Sequence, residues 1–137
     1  MWARRRKADP GQSLGADGED VAHRLLQDKG LAVVARNWRT KSGWAEVDIV
    51  AWTGRELVFV EVKSRKSGED AAPDREITPE KRRKISVAAR EFKRNSPYEK
   101  VPVRFDVVTV VFEPRLAVNH YPNAWSEGEA MAARAWR

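Results

Sequence analysis

The stretch V58-F-V-E-V-K-S64 sets a carboxylate, Glu61, and an ammonium, Lys63, two residues apart inside an apolar run. Strand side chains alternate between faces, so Leu57, Phe59, Glu61 and Lys63 share one face and Val58, Val60, Val62 and Ser64 the other. A run that is apolar on both faces is expected of a covered strand, which leaves the two charges partly desolvated. Taking an ion out of water costs on the order of several kcal/mol, and one partner offsets this only with good geometry and further contacts. A second carboxylate is within reach. In W44-A-E-V-D-I-V-A-W52, Val47, Ile49 and Ala51 are expected on one face and Glu46, Asp48 and Val50 on the other. The tight turn T53-G-R55 makes strands two and three a hairpin, which sets Asp48 beside Glu61. Two carboxylates on one sheet face repel unless a cation lies between them. Mg²⁺ takes oxygen ligands and is commonly held by one or two carboxylates, with a substrate phosphate completing its shell. Such an ion polarises a phosphoryl oxygen and lowers the pKa of a bound water. Lys63 would orient that water or neutralise charge building on the phosphate. These residue types fit phosphodiester hydrolysis with Mg²⁺ or Mn²⁺ as cofactor.

The acids need elements to hold them. Leu14, Val21, Ala22, Leu25 and Leu26 recur at helical spacing, and D28-K-G30 closes the run with a glycine, which predicts a first helix. On the helical wheel Glu19 lies about 90° from the centre of the apolar stripe, at its rim beside Ala22 and Leu26, within reach of the edge of the acid site. The glycines of G15-A-D-G-E19 permit close approach of a backbone or a phosphate. L31-A-V-V-A-R36 reads as the first strand, and K41-S-G43 as the turn into the second. The polar stretch from Lys66 to Ile77, with Gly68 and Pro73, reads as a mobile loop. Thr78 is the expected N-cap of a second helix, with Pro79 at the first position, where its missing N–H costs nothing. Ile85, Ala88, Ala89 and Phe92 form that helix's apolar stripe, and Ser96-Pro97 ends it. V101 to F112 is a long fourth strand, and E113-P-R115 turns into a shorter fifth, L116-A-V-N-H-Y121. The order of helix, three strands, helix and two strands predicts an α/β sandwich, a central mixed sheet with a helix on each side.

Composition narrows the partners. The chain has 26 Lys+Arg against 20 Asp+Glu and a net charge of +6, with a pI near 9.9. That balance points to an anionic partner, nucleic acid before a membrane surface. Lys81, Arg82 and Lys84 form a basic helix surface and, with Arg39 and Arg65, are the candidates for nucleic-acid binding. Trp38 and Trp44, beside Arg39 and Lys41, are the tryptophans best placed to meet a base. Absence of cysteine fits a reducing, cytoplasmic setting. The positive start M1-W-A-R-R-R-K7 is followed by A8-D-P-G-Q-S13 where a signal peptide needs an apolar core. No stretch approaches the roughly 20 apolar residues that span a bilayer, so no membrane partner is expected. His23 and His120 lack zinc-ligand spacing and are assigned to packing or hydrogen bonding. Asp106, on the same strand face as Arg104, is assigned to a structural ion pair. The expected organisation is a disordered basic arm at 1–11, a domain at 12–126 and a tail or short helix at 127–137.

Taken in order, G15-x-x-G-E19, N37-x-R39, E46-V-D48-I-V, F59-V-E61-V-K63-S-R65, R104-F-D106-V-V and H120-x-x-N123-A resemble the motif series of the YraN family. These are small bacterial proteins similar in fold to the PD-(D/E)-x-K nuclease superfamily and to archaeal Holliday junction resolvases. The resemblance implies a restriction-endonuclease-like αβββαβ core. By it, Asp48 and Glu61 match the metal-binding acids, Lys63 the catalytic lysine and Glu19 the acid on the first helix. Val47 stands where the superfamily has proline, and Ala45 where glycine is expected before the Glu-x-Asp pair. The function this resemblance implies is that of an endonuclease on nucleic acid, DNA first, with branched DNA as a substrate class and a C₂ homodimer by analogy with paired-cutting resolvases. Two other classes also fit: a nucleic-acid-binding module that keeps the fold without turnover, and a protein-interaction adaptor.

Overall fold

The computed structural model describes residues 10–67 and 77–128. Helix α1 (Pro10–Asp28) is followed by strands β1 (Ala32–Arg39), β2 (Glu46–Trp52) and β3 (Leu57–Ser67), helix α2 (Pro79–Lys93), and strands β4 (Val103–Glu113) and β5 (Ala117–Trp125). The strands form one five-stranded sheet in sequential order. Neighbours are antiparallel except β3 and β4, which run parallel and are joined across α2. This is the expected α/β architecture, a mixed sheet between two helices, and it is compatible with a restriction-endonuclease-like layout.

Local chemistry sets the helix ends. Gly30 adopts φ 90° past the end of α1. There its N–H donates to the Gln27 carbonyl at 2.9 Å and the Leu31 N–H donates to the Leu26 carbonyl at 3.0 Å. This pair of bonds satisfies carbonyls the helix leaves open, with glycine at the left-handed position. The Thr78 side chain caps α2 by accepting from the Lys81 N–H at 3.2 Å.

The two sheet faces carry separate cores. Ile49, Ala51, Val58, Val60, Val108 and Val110 pack against Ala22 and Leu26 of α1. On the other face Val47, Val50, Leu57, Phe59, Phe105 and Val107 pack against Ile85, Ala88 and Ala89 of α2. Strand β3 alternates as expected, so Glu61 and Lys63 lie on the α2 side. Strand β2 does not. Val47 joins the α2 layer with Val50, while Ile49 and Ala51 join the α1 layer. In β1, Ala35 and Trp38 likewise pack in the α2 layer although they are three positions apart, an odd spacing. The two strands therefore exchange faces together at Asn37 and Asp48, where Asn37 takes φ 51°. An irregularity of this kind re-aims a side chain, and here the re-aimed side chain is Asp48.

Several boundaries differ from the expectation. Helix α1 starts at Pro10, inside the stretch assigned to the arm, and residues 1–9 lie outside the described residues. Strand β1 runs on to Arg39 and β5 to Trp125. Most of the loop expected at 66–77 and most of the tail, 68–76 and 129–137, also lie outside them.

Candidate functional site

The β2–β3 hairpin brings Asp48 and Glu61 into hydrogen-bond contact. Asp48 also accepts the Val62 N–H through Oδ2 at 2.8 Å, which holds its carboxyl against the β3 backbone. A hydrogen bond between two carboxyls needs a proton. Burial first, then the Glu61 charge and the Glu61 hydrogen bond, raise the Asp48 pKa well above the ordinary value; the Val62 N–H and the charge of Lys81 oppose the shift. Glu61 is only 9% exposed. Across from it Lys81, in the first turn of α2, places Nζ 3.2 Å from Glu61 Oε2. Burial acts to lower the Lys81 pKa, but Glu61, with Asp48 and Glu46 adding, raises it on balance. Lys63 lies half-buried two residues beyond Glu61 on the same face. Thr78, Glu80, Lys81 and Lys84 line a cleft of about 240 Å³ on this side.

Glu19 is placed differently. It is 7% exposed, and its Oε1 lies 3.4 Å from Arg36 Nη2, while Asp20 takes Arg36 Nη1 at 2.8 Å. Gly18, next to it, makes a close approach, but to the Ser64 side chain rather than to the backbone or phosphate expected from the glycines. A Cβ there would lie 1.7 Å from Ser64 Oγ and 2.9 Å from Ser64 Cβ, so α1 crosses β3 closely on the sheet face opposite Glu61 and Lys63. Among the described residues no group of three or more Asp, Glu, His or Cys side chains is arranged to hold a metal together. The donors of the acid site, the Asp48 and Glu61 carboxyl groups, are hard oxygens and fit a divalent ion such as Mg²⁺ or Mn²⁺.

The other basic candidates scatter. Arg82 donates Nε to the Ile77 carbonyl at 2.8 Å and stacks over Trp125 at 5.7 Å. Arg39 pairs with Glu46 at 3.0 Å. Arg65 lies half-buried on β3. Lys84 and its neighbour Arg83 lie over the ring of Trp44, at 5.1 and 5.6 Å from its centroid.

A second polar cluster sits on the opposite sheet face. Asp106, fully buried, accepts Arg104 Nε and Nη2 at 2.9 Å each, and the Asn123 N–H at 3.0 Å. His120 Nε2 lies 2.7 Å from Asp106 Oδ2, and its Nδ1 is 2.9 Å from Lys29 Nζ. An ammonium has only donors, so Nδ1 is the accepting nitrogen toward Lys29 and Nε2 the donor toward Asp106. The ion pair expected of Asp106 and the hydrogen-bonding role expected of His120 are both present. That the two join with Asn123 and Lys29 in one knot was not read from the sequence; the closely spaced motifs R104-F-D106 and H120-x-x-N123 were the available signal.

Fold and site together define an α/β protein of restriction-endonuclease-like layout with an Asp–Glu pair on one sheet face. The chain belongs to the Uncharacterised protein family UPF0102, the YraN family, whose model matches residues 18–110. It is 43% identical over 109 residues to a UPF0102 protein of Solibacter usitatus, covering 80% of this chain and 82% of the relative. A UPF0102 protein of Anaeromyxobacter dehalogenans is 41% identical over 120 residues, covering 85% and 87% of the two chains. One of Rhodococcus jostii is 41% identical over 115 residues, covering 82% and 96%. The family match spans Glu19, the acid pair, Lys63 and the α2 cations, and ends at Val110, before His120.

Proposed function

We propose that this protein is a metal-dependent, nuclease-like phosphodiester hydrolase acting on nucleic acid, with DNA the first candidate. The observation that carries the reading is the contact between Asp48 and Glu61 on the α2 face, with Lys63 two residues further along β3 on the same face. Two acids held this close need a positive partner, and Asp48 and Glu61 are the residues that would hold a Mg²⁺ or Mn²⁺ ion. When bound, the ion supplies charge to a phosphoryl oxygen and acidity to a water. Lys63 neutralises charge developing on the phosphate. Lys81, ion-paired to Glu61, balances the acids and shifts to a substrate phosphate. The family resemblance supports branched DNA as a substrate class and a symmetric homodimer for paired cuts. Among the described residues no helix is long and apolar enough to cross a membrane.

The test is cleavage of labelled duplex, single-stranded and four-way-junction DNA by wild type and Glu61→Ala, in Mg²⁺ and in Mn²⁺. Hydrolysis by wild type that disappears in the variant is expected. Equal cleavage by both would assign it to a contaminant and remove the site from the reading. The Lys81–Glu61 pair also supports a second reading, a nucleic-acid-binding module whose acids are neutralised by lysine. In that case salt-sensitive DNA binding survives Glu61→Ala and neither protein cleaves with either ion.

A further inference from the structure

Trp44 and Leu116 are the large apolar side chains left exposed among the described residues, and Trp44 is 43% open. Its surroundings are built. The turn from Thr40 to Ala45 is closed by the Thr40 N–H on the Ala45 carbonyl at 3.0 Å, and the Gly43 N–H on the Thr40 carbonyl at 2.9 Å. Gly43 supplies the φ of 77° this turn needs. The Trp44 N–H donates to Ser42 Oγ at 3.2 Å, and the Lys41 N–H donates to Glu91 Oε2 at 2.9 Å, fastening the turn to α2. A tryptophan on a fixed turn is thus presented to solvent beside Arg83 and Lys84. Neither cation has a carboxylate partner among the described residues; each rests against the indole instead. Lys84 stands one helical turn, about 5 Å of axial rise, beyond Lys81, which touches Glu61. An exposed indole with two adjacent cations, one turn from an acid pair, matches the chemistry of a nucleotide: a base face for the ring and a phosphate for the cations.

We propose that Trp44, with Arg83 and Lys84, is a stacking platform for an unpaired base, so that the acid site is fed by a single-stranded segment. The inference rests on the nucleic-acid reading of that site. Bases inside a duplex are already stacked on their neighbours and offer no face to a ring, whereas an unpaired base does, and every base has one. The cations leave the indole for phosphate as the base takes their place.

Binding is measured without turnover, in EDTA, by fluorescence anisotropy of a labelled oligodeoxythymidylate and of a duplex of equal length. Wild type is compared with Trp44→Ala, Trp44→Leu, Trp44→Phe and the double variant Arg83→Ala/Lys84→Ala, each checked by circular dichroism melting. Trp44→Leu keeps apolar bulk against the lysine and arginine stems if Trp44→Ala loosens the turn. Expected is a loss of about tenfold or more for the single strand in Trp44→Ala and Trp44→Leu. The duplex should change less than about twofold, and Trp44→Phe should retain most single-strand affinity. Removing the two cations should weaken both ligands and flatten the salt dependence. Unchanged single-strand affinity in both Trp44→Ala and Trp44→Leu, or equal losses on both ligands, would overturn the platform while leaving a wild-type protein that binds DNA. A wild type that binds neither ligand at low salt would overturn the platform together with the nucleic-acid reading beneath it.

Discussion

Asp48 shares a hydrogen bond with another acid, whereas Asp106 receives four from donors. Their titrations separate accordingly. For Asp48 the raised native pKa means that, above the ordinary carboxylate value of about 3.9, the folded chain keeps a proton the unfolded chain has lost, and stability falls as pH rises through that window. Asp48→Asn removes the repulsion. It is expected to raise the melting temperature at neutral pH, in the absence of divalent ions, by roughly 4 °C, the effect of about 1 kcal/mol in a chain of this size. Differential scanning calorimetry reads this directly, and a lower melting point would show that the pair is not in conflict. Burial acts to raise the Asp106 pKa, but His120, Arg104 and the Asn123 N–H together lower it. Its stabilisation is therefore present above the unfolded pKa and lost as pH falls through the native one. Asp106→Ala leaves Arg104 with only its longer contact to Glu56, at 3.5 Å, strips His120 and the Asn123 N–H of their acceptor, and is expected to cost about 3–5 kcal/mol, measurable by urea unfolding at pH 7; a loss below about 1 kcal/mol would reduce the knot to a surface contact. Glu61 and Lys63 were legible on one face because alternation along β3 is local, whereas Asp48 owes its aim to the change of face that β2 makes with β1. The pairing of Lys81 with Glu61 was not legible, since it depends on how α2 docks after a connection of more than ten residues.

Helix α1 and strand β2 show what an element's pattern reveals and what its partner decides. The apolar period and terminal glycine of α1 are properties of its own residues and located the helix. The reason for Gly18 lies on β3, where Ser64 leaves no room for a Cβ. Glycine to alanine in a helix interior ordinarily stabilises by about 0.5–1 kcal/mol, and Gly15, with nothing within 4 Å of its notional Cβ, is expected to follow that rule. Gly18→Ala is expected to reverse it, destabilising by about 1–3 kcal/mol as an overpacked contact, and Ser64→Gly in the same chain should recover most of the loss. Thermal melts of the three variants decide the matter; stabilisation by both alanines would mean that α1 is free to move off the sheet. For β2 the strict alternation failed at Val47, because the change of face is made jointly by Asn37 and Asp48. An Asn in a strand signals tolerance of positive φ, yet nothing in β2 alone marks Asp48 as the residue opposite it.

Across the whole molecule the two faces of the sheet have divided the polar work. The α2 face holds the Asp48–Glu61 pair, Lys81 and the cations around Trp44. The α1 face holds the Asp106 knot, whose contacts tie β4 to β5 and, through Lys29, to the end of α1. A site whose acids repel draws its rigidity from elsewhere in the fold, and a saturated buried carboxylate two strands from Asp48 supplies it. Variants should therefore sort by face. Lys63→Ala is expected to reduce phosphodiester cleavage by two orders of magnitude or more, as loss of a charge-stabilising group does, while moving stability by no more than about 0.5 kcal/mol. Arg104→Ala should do the opposite, lowering the melting temperature by several degrees while the fraction still folded at ~20 °C cleaves at the wild-type rate. Paired melting curves and single-turnover cleavage on the same preparations separate the two cases. A Lys63→Ala protein that loses stability in proportion to activity would place the lysine in the scaffold, and the chemistry of this face would then rest on the acids and Lys81.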